Sequence, residues 1–578
     1  MTIPGISSYT RRMIFAVVCT LALLALYVPA LTCAELSPIS SSPNETHRLG
    51  EKMYREGILP SGEPLRAVAA DGQATPGTTY ACVSCHLRSG LGSVDEGVYT
   101  PPINSENLFK PRALSYKGIP QSDEKAVAPL RPAYVEDSLI TALRSGFDPT
   151  GRMLGPGMPR YQLEDKDARL LVAYLKTLSV QFSPGVGEKT IRFATVVSDG
   201  VSPEKRNAMI SAFNGSVKMQ NSQVRANIGN SKSRLMAEIM LGRDLAAKSI
   251  SVSVWELKGA PATWRSQLEE YNRKDPVFAL VGGVVSGPWK PVHRFCEDFG
   301  IPCLFPNTDL PEIANAGWYT LYLTRGYYQE GESAARYLNS IEDQLKGQKI
   351  VQFVESSPEA KALSEGFLHT WKELGRKNVV TVTVPHGKKM DSEFLKKALA
   401  KEKPAVLIVW LDAAVLPVLE RLPNRTTRPK MVFVSGRYLG KNLWALPDSL
   451  RASTYITYPF SFSPYIAPVG MGKQPVRNDQ KKTLRQADTP LGDDKEEMAS
   501  MTGSLMNQLF LILADMRGNY YRDNLLDIAG VMMDQGYPLY GRISFGTGQR
   551  FVSQGCYVVQ LTKGESPELV KRSGWNIQ

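Results

Sequence analysis

Cysteine and histidine are scarce in this chain, and their scarcity narrows the chemistry. Of 578 residues seven are Cys and five are His. Only Cys82, Cys85, Cys296, Cys303 and Cys556 lie beyond the first 35 positions. No second cysteine pair or histidine cluster accompanies Cys82 and Cys85, which argues against a four-ligand structural zinc site. His293, His369 and His386 are scattered, without a nucleophile motif or a recognisably spaced carboxylate pair, so no hydrolase or transferase constellation stands out. Long apolar runs are also missing after Met13–Ala30, and 43% hydrophobic with 21% charged residues excludes both a polytopic membrane protein and wholesale disorder. The net charge of +12 is spread along the chain, with no arginine-rich arm or aromatic RNA-reading motif. That charge suits docking to acidic proteins or anionic surfaces and gives no support to a nucleic-acid partner.

The N-terminal segment reads as an address. Arg11 and Arg12 precede the run from Met13 to Ala30, and Thr32-Cys33-Ala34 offers small residues for cleavage before Glu35. Residues 1–34 are therefore expected to be an export signal, or an N-terminal anchor if retained, since about 20 apolar residues suffice to span a bilayer. Membrane contact is expected only in that uncleaved form.

After the signal, two regions differ in pattern. Residues 44–180 have helical spacing at both ends, in THRLGEKMYREG and LEDKDARLLVAYLKTLS, with Gly- and Pro-rich chain between. A domain with so much loop needs a cofactor or cross-links to complete its core. SPGVGEKT breaks the pattern, and 181–190 is expected to be a linker. From 191 to 578 short apolar runs such as IRFATVVS, KIVQFVES and PAVLIVWL alternate with helical ones, which predicts parallel α/β layers in two lobes. A polar stretch near 470–497 is expected to be a mobile insertion. The spacing of FCEDFGIPC suits a local disulfide between Cys296 and Cys303 in an oxidising compartment, leaving Cys556 as a buried thiol.

The chemistry concentrates in CVSCH, Cys82 to His86. Two thiols and an adjacent imidazole on one turn suit two thioether bonds to haem vinyl groups and one axial bond to iron. A redox dithiol would open a helix in a βαβ unit, whereas Gly-rich loop surrounds this motif. A carbonyl of the PPIN segment, Pro101 to Asn104, is placed to accept the Nδ1 proton of His86 and turn Nε2 toward iron. Met158 in GRMLGPGMPRY is the expected opposite ligand, with Met153 its rival. Taken in order, GEKMYREG, CVSCH, PPI, GMPRY and DARLLVAYLKTL resemble a monohaem class I cytochrome c. The resemblance implies a mostly α domain whose first and last helices cross at Gly50, Tyr54 and Tyr174. It further implies one covalent haem c, with Cys82 and Cys85 as thioether sites and His86 and Met158 as axial ligands.

The region from Ile191 resembles the type I periplasmic binding proteins of the branched-chain amino acid and amide kind, on FALVGGVVSGPWKPVHRFCEDFGIPCLFPNTD and the YLTRGYYQEGESAARYL crossover. The resemblance implies a ligand-carboxylate site at Ser286, Gly287, Asn307 and Thr308; Ser286 and Thr308 also suit plain helix caps. The loop VESSPEAKAL lacks the Tyr-Gly that this family often presents. Trp289 reads as packing, and Arg294 with Glu297 as a solvated helix face. The expected protein is a periplasmic, non-enzymatic electron carrier that meets a redox partner protein and takes a small ligand such as an amino acid or another small anion. The alternative is a haem-containing sensor or solute receptor whose redox state is coupled to ligand binding.

Overall fold

The computed structural model describes residues 43–69, 72–95, 98–113, 130–229, 248–314, 317–345, 348–385, 387, 392–421, 429–462, 482–491, 494–532, 535–537, 539–543, 549–553 and 555–577. The expected signal at 1–34 lies outside them. No helix among the described residues is long and apolar enough to cross a membrane. Packing divides the described residues into two compact units: those up to 81 with 135–175, and those of 82–134 with 176–577. The described part of 82–134 consists of short helices and two-residue to three-residue strands, and its first turns bond to residues far along the chain.

In the first unit, the helix Pro43–Glu56 meets the helix Asp165–Thr177 at a glycine. A Cβ on Gly50 would lie 2.5 Å from the Leu170 carbonyl oxygen and 2.6 Å from Tyr174 Cβ, so only glycine allows this approach. Tyr54 and His47 close the crossing against the Tyr174 ring, at centroid distances of 5.4 and 5.1 Å. The crossing matches the one implied by Gly50, Tyr54 and Tyr174. A small antiparallel sheet pairs Arg66–Val68 with Ala74–Pro76 and Arg160–Gln162.

The second unit holds a parallel sheet and a mixed one. The first contains β1 (Thr190–Ser198), β2 (Ser249–Leu257), β3 (Ala279–Val281), β4 (Cys303–Leu304) and β5 (Thr320–Leu321) in the order β5-β4-β3-β1-β2. Its helices include α1 (Pro203–Gly229), α2 (Trp264–Lys274) and α3 (Lys290–Phe299). After the crossover helix α4 (Tyr327–Ser340) come β6 (Ile350–Glu355), α5 (Pro358–Glu373), β7 (Val379–Val384), α6 (Ser392–Glu402), β8 (Val406–Trp410), β9 (Met431–Ser435) and β10 (Thr454–Tyr458). With β11 (Thr483–Arg485), β12 (Gly555–Leu561) and β13 (Glu568–Lys571), the second sheet runs β7-β6-β8-β9-β10-β12-β13-β11 and turns antiparallel at β10 and β12. Every residue of β6, β8, β9 and β12 is buried, as strands covered on both faces must be.

Two late helices return to the first sheet. α7 (Asp494–Asp515) packs on α1, and Leu505 and Phe213 both come within 3.1 Å of a Cβ built on Gly282 at the end of β3. α8 (Arg522–Gly530) follows, and its Arg522 guanidinium donates to the carbonyls of Val277, Phe278 and Gly300. Within the segment expected as a mobile insertion, residues 482–491 and 494–497 are described. Residues 463–481 lie outside the described set, but Thr483–Arg485 pairs with β13, because Leu484 is apolar and buried there. The expected linker is also held. Gly185 sits at φ +90°, and a Cβ there would lie 2.0 Å from the Phe278 nitrogen.

Candidate functional site

CVSCH forms a single helical turn, Val83–His86. The His86 amide donates to Cys82 O at 2.9 Å and the Cys85 amide to the same oxygen at 3.3 Å. Leu87, at φ 63° and ψ 176°, stops the turn in a conformation that costs a non-glycine residue of the order of 1–3 kcal/mol. The chain then doubles back: Gly92 N donates to His86 O at 3.2 Å, while Gly90 O receives Ile103 N at 2.7 Å and Asn104 N at 3.0 Å. These bonds carry PPIN behind the imidazole. His86 Nδ1 lies 2.9 Å from Pro101 O, as expected from the sequence, so the ring proton is held on Nδ1. Nε2 is left with a lone pair and has no hydrogen-bond partner among the described residues. Burial lowers the His86 pKa and outweighs the Pro101 bond, which keeps the imidazole neutral and fit to donate to a metal. Cys82 is buried, Cys85 is exposed, and neither is in a disulfide. The donor set fits a covalently held haem: two thiols on one turn and an oriented, neutral imidazole.

In the first unit, the GMPRY loop is braced by a residue that the sequence reading passed over. Arg160 donates to the carbonyls of Met158 and Leu154, and Met158 N donates to Gly155 O at 3.1 Å. Tyr161 hydroxyl donates to Tyr80 O at 2.8 Å, two residues before Cys82. Met158 is half-buried, whereas Met153 is 66% exposed.

The binding-protein-like loops have a different character. Ser286 N donates to Ser198 Oγ at 2.8 Å. Asn307 N donates to Gly283 O at 2.9 Å, and Thr308 N to Pro306 O at 3.0 Å. Thr308 Oγ1 accepts from Leu310 N at 3.1 Å, and Asn307 Nδ2 donates to Met498 Sδ at 3.3 Å. Gly287 sits at φ +110°, where glycine is favoured. Neither Ser286 nor Thr308 caps α3, whose N-cap is the fully buried Trp289. Met209, Gly283, Asn307, Met498, Met501 and Tyr537 line a mainly apolar cavity of about 250 Å³, counting space open to solvent.

A buried ionic cluster joins the two sheets beside the crossover. Arg437, after β9, pairs with Asp309, which follows Thr308. Its guanidinium also donates to Tyr540 Oη at 3.1 Å and lies 4.6 Å from the Phe460 ring centroid. Glu330 of α4 accepts from Ser435 Oγ at 2.8 Å and Thr457 Oγ1 at 2.6 Å. Burial pushes Glu330 up to about 7, against the hydrogen bonds and the Arg437 charge that lower it.

Cys296 and Cys303 are buried neighbours, joined by a side-chain hydrogen bond. Burial raises the Cys296 pKa well above normal, aided by its neighbour Cys303, and this disfavours the thiolate needed for exchange. Glu297 is not a solvated face: its carboxylate collects the amides of Trp318, Tyr319 and Thr320 at 2.6–3.1 Å. Of the histidines, His293 is buried against Tyr322 Oη at 3.1 Å, His369 is exposed, and His386 lies outside the described residues.

Residues 69–179 match the family model of cytochrome c, and residues 238–471 that of a periplasmic binding protein. Among solved structures, the chain is similar to a solute binding protein of an ABC transporter from Rhodopseudomonas palustris in complex with 3,4-dihydroxy benzoic acid, with 12% identity over 68% of this chain and 99% of that one and a TM-score of 0.44. Similarity extends to a branched-chain amino acid ABC transporter from Thermus thermophilus with bound valine, with 13% identity, coverage of 68% and 98%, and a TM-score of 0.44. A periplasmic binding protein type 1 from Bordetella pertussis shows 14% identity, coverage of 66% and 100%, and a TM-score of 0.44. No curated protein matches the sequence. The chain thus carries a cytochrome c domain followed by an α/β domain of the periplasmic binding protein kind.

Proposed function

We propose that this protein is an exported, periplasmic electron carrier in which one haem c is bound through Cys82 and Cys85, with His86 and Met158 as axial ligands. The observation that carries the reading is the His86 ring, whose Nδ1 is held 2.9 Å from Pro101 O while Nε2 has no partner among the described residues. Haem bound in this way supplies one-electron exchange between ferrous and ferric iron, at a potential raised by Met/His ligation. The chain's own part is to fix the proximal ring, hold its proton on Nδ1 and brace the Met158 loop through Arg160. The exposure of Met153 favours Met158 as the second ligand. The net charge of +12 suits an acidic redox partner.

The binding-protein-like domain recruits either a small solute or that partner in this reading. As it stands the cavity has room for about one water molecule, so a solute would have to open it, and the lining by Met209, Met498 and Met501 favours an apolar one. The sensor reading draws support from the contact between the loop after His86 and α8. A ligand identified by thermal shift that moves the haem potential would establish it.

The test is a pair of absorption spectra, oxidised and reduced, with a pyridine haemochrome assay on the exported protein. One covalent haem per chain with the weak far-red ferric band of Met ligation is expected. Met158→Ala should abolish that band; a variant that keeps it would assign the ligand elsewhere. Absence of covalent haem would overturn the reading.

A further inference from the structure

Asp527 lies within α8, 439 positions from Arg88, yet its carboxylate bonds to the chain immediately behind the proximal histidine. Oδ1 accepts Arg88 N at 3.0 Å and Oδ2 accepts Ser89 N at 2.8 Å. Ser89 is wholly buried, and its carbonyl accepts Ser179 Oγ at 2.7 Å. Beside this pair, the Arg88 guanidinium stacks 4.6 Å from the Trp318 ring centroid and donates to the Trp318 carbonyl. The other end of α8 is clipped to the first sheet by Arg522. One nine-residue helix therefore holds both the haem-attachment loop and the edge of β3.

We propose that Asp527 is a positioning and charge-tuning residue for the haem, supplied by the binding-protein-like part of the chain, which orders the loop behind His86 and lowers the haem potential. The proposal rests on the haem reading above. Two amide protons need only a neutral acceptor, and burying a carboxylate costs several kcal/mol more than burying an amide or hydroxyl. A charge kept in such a place acts on whatever charge changes nearby. Inside a protein the interaction is weakly screened, and a fixed negative charge favours ferric over ferrous iron. Asp523 of the same helix and Arg88 are the charged neighbours. Burial raises the Asp527 carboxyl to about 6 despite the two amide bonds and a further hydrogen bond from the Ser89 side chain, so it is ionised at pH 8.

Spectroelectrochemical titration of the full-length exported protein at pH 8 tests the proposal, with haem content checked by pyridine haemochrome. D527N should raise the midpoint potential, shifting the ferric-to-ferrous ratio at fixed potential by roughly tenfold, equivalent to about 59 mV for one electron. D527E, which restores the charge, should return most of that shift. Should the Asn variant fail to accumulate, D527S provides the neutral comparison. A neutral variant with haem in place and an unmoved potential overturns the inference. Equal shifts in D527N and D527E also overturn it, since loop geometry alone would then be responsible. A wild-type protein without covalent haem is a different failure, that of the haem reading itself.

Discussion

The two regions expected to bind something treat their polar groups in opposite ways. At CVSCH the backbone orders the imidazole and leaves Nε2 unclaimed by the described residues. At the loops after β3 and β4, the amides of Ser286, Asn307 and Thr308 are engaged by the protein's own acceptors, and Asp309 pairs with Arg437. A site built to accept a partner atom keeps a donor or acceptor available, because a buried polar group gains nothing from a ligand when already satisfied. The first region has the form of a prepared coordination site. The second is internally closed, and a solute must displace protein contacts to enter.

The sharpest test of this contrast is removal of the attachment thiols. A Cys82→Ala, Cys85→Ala protein should lose covalent haem entirely by haemochrome assay. The unfolding transition of the α/β domain should remain; loss of both would mean that the regions are not separable. Next in size is Gly50→Ala. Its Cβ would meet the Leu170 carbonyl at 2.5 Å, and the expected cost is about 2–3 kcal/mol, read by denaturant titration. No change would show that the helices separate freely.

Glu330→Gln probes the closed region. The folded pKa of Glu330 is raised to about 7 from 4.5, so between these values the folded state holds a proton that the unfolded state has lost. Stability should therefore be greatest below about pH 4.5 with respect to this group and fall as pH rises toward 7. The Gln variant should flatten that fall and be more stable than wild type at pH 8, by about 1–3 kcal/mol, in urea titrations at several pH values. A parallel pH profile in the variant would assign the slope to other groups. Ser198→Ala has the smallest expected effect, about 1 kcal/mol or less, because it removes one acceptor from the Ser286 amide. If a carboxylate ligand uses that amide, isothermal titration should show tighter binding in this variant.

Much of the cytochrome c domain was legible because its signals are local. Five residues define the CVSCH turn, and Pro101 answers His86 across only 15 positions. The helix crossing was legible because Gly50 and Tyr174 carry its geometry. The α/β alternation likewise announced the parallel layers through buried apolar strands. What escaped notice depends on distant partners. Asp527 looked like any helix aspartate until the fold brought it to Arg88 and Ser89. Glu297 had the spacing of a surface residue, and the loop amides that it caps come from the far side of β4. Likewise, the consumption of the Ser286 amide by Ser198 is invisible without the strand pairing that sets β1 beside β3.

The return of α7 and α8 has a consequence for how this protein comes into being. The first sheet is assembled from 190–323, yet Leu505 covers the end of β3 and Arg522 ties down Val277 and Phe278. A ribosome delivers the N-terminal side first, at about 5–20 residues per second, so the strands of that sheet emerge well before the helices that seal it. Until residue 522 has been made, the lobe has an open apolar flank. If the chain is exported unfolded, as the proposed function requires, its C-terminal helices are the latch that closes only after passage.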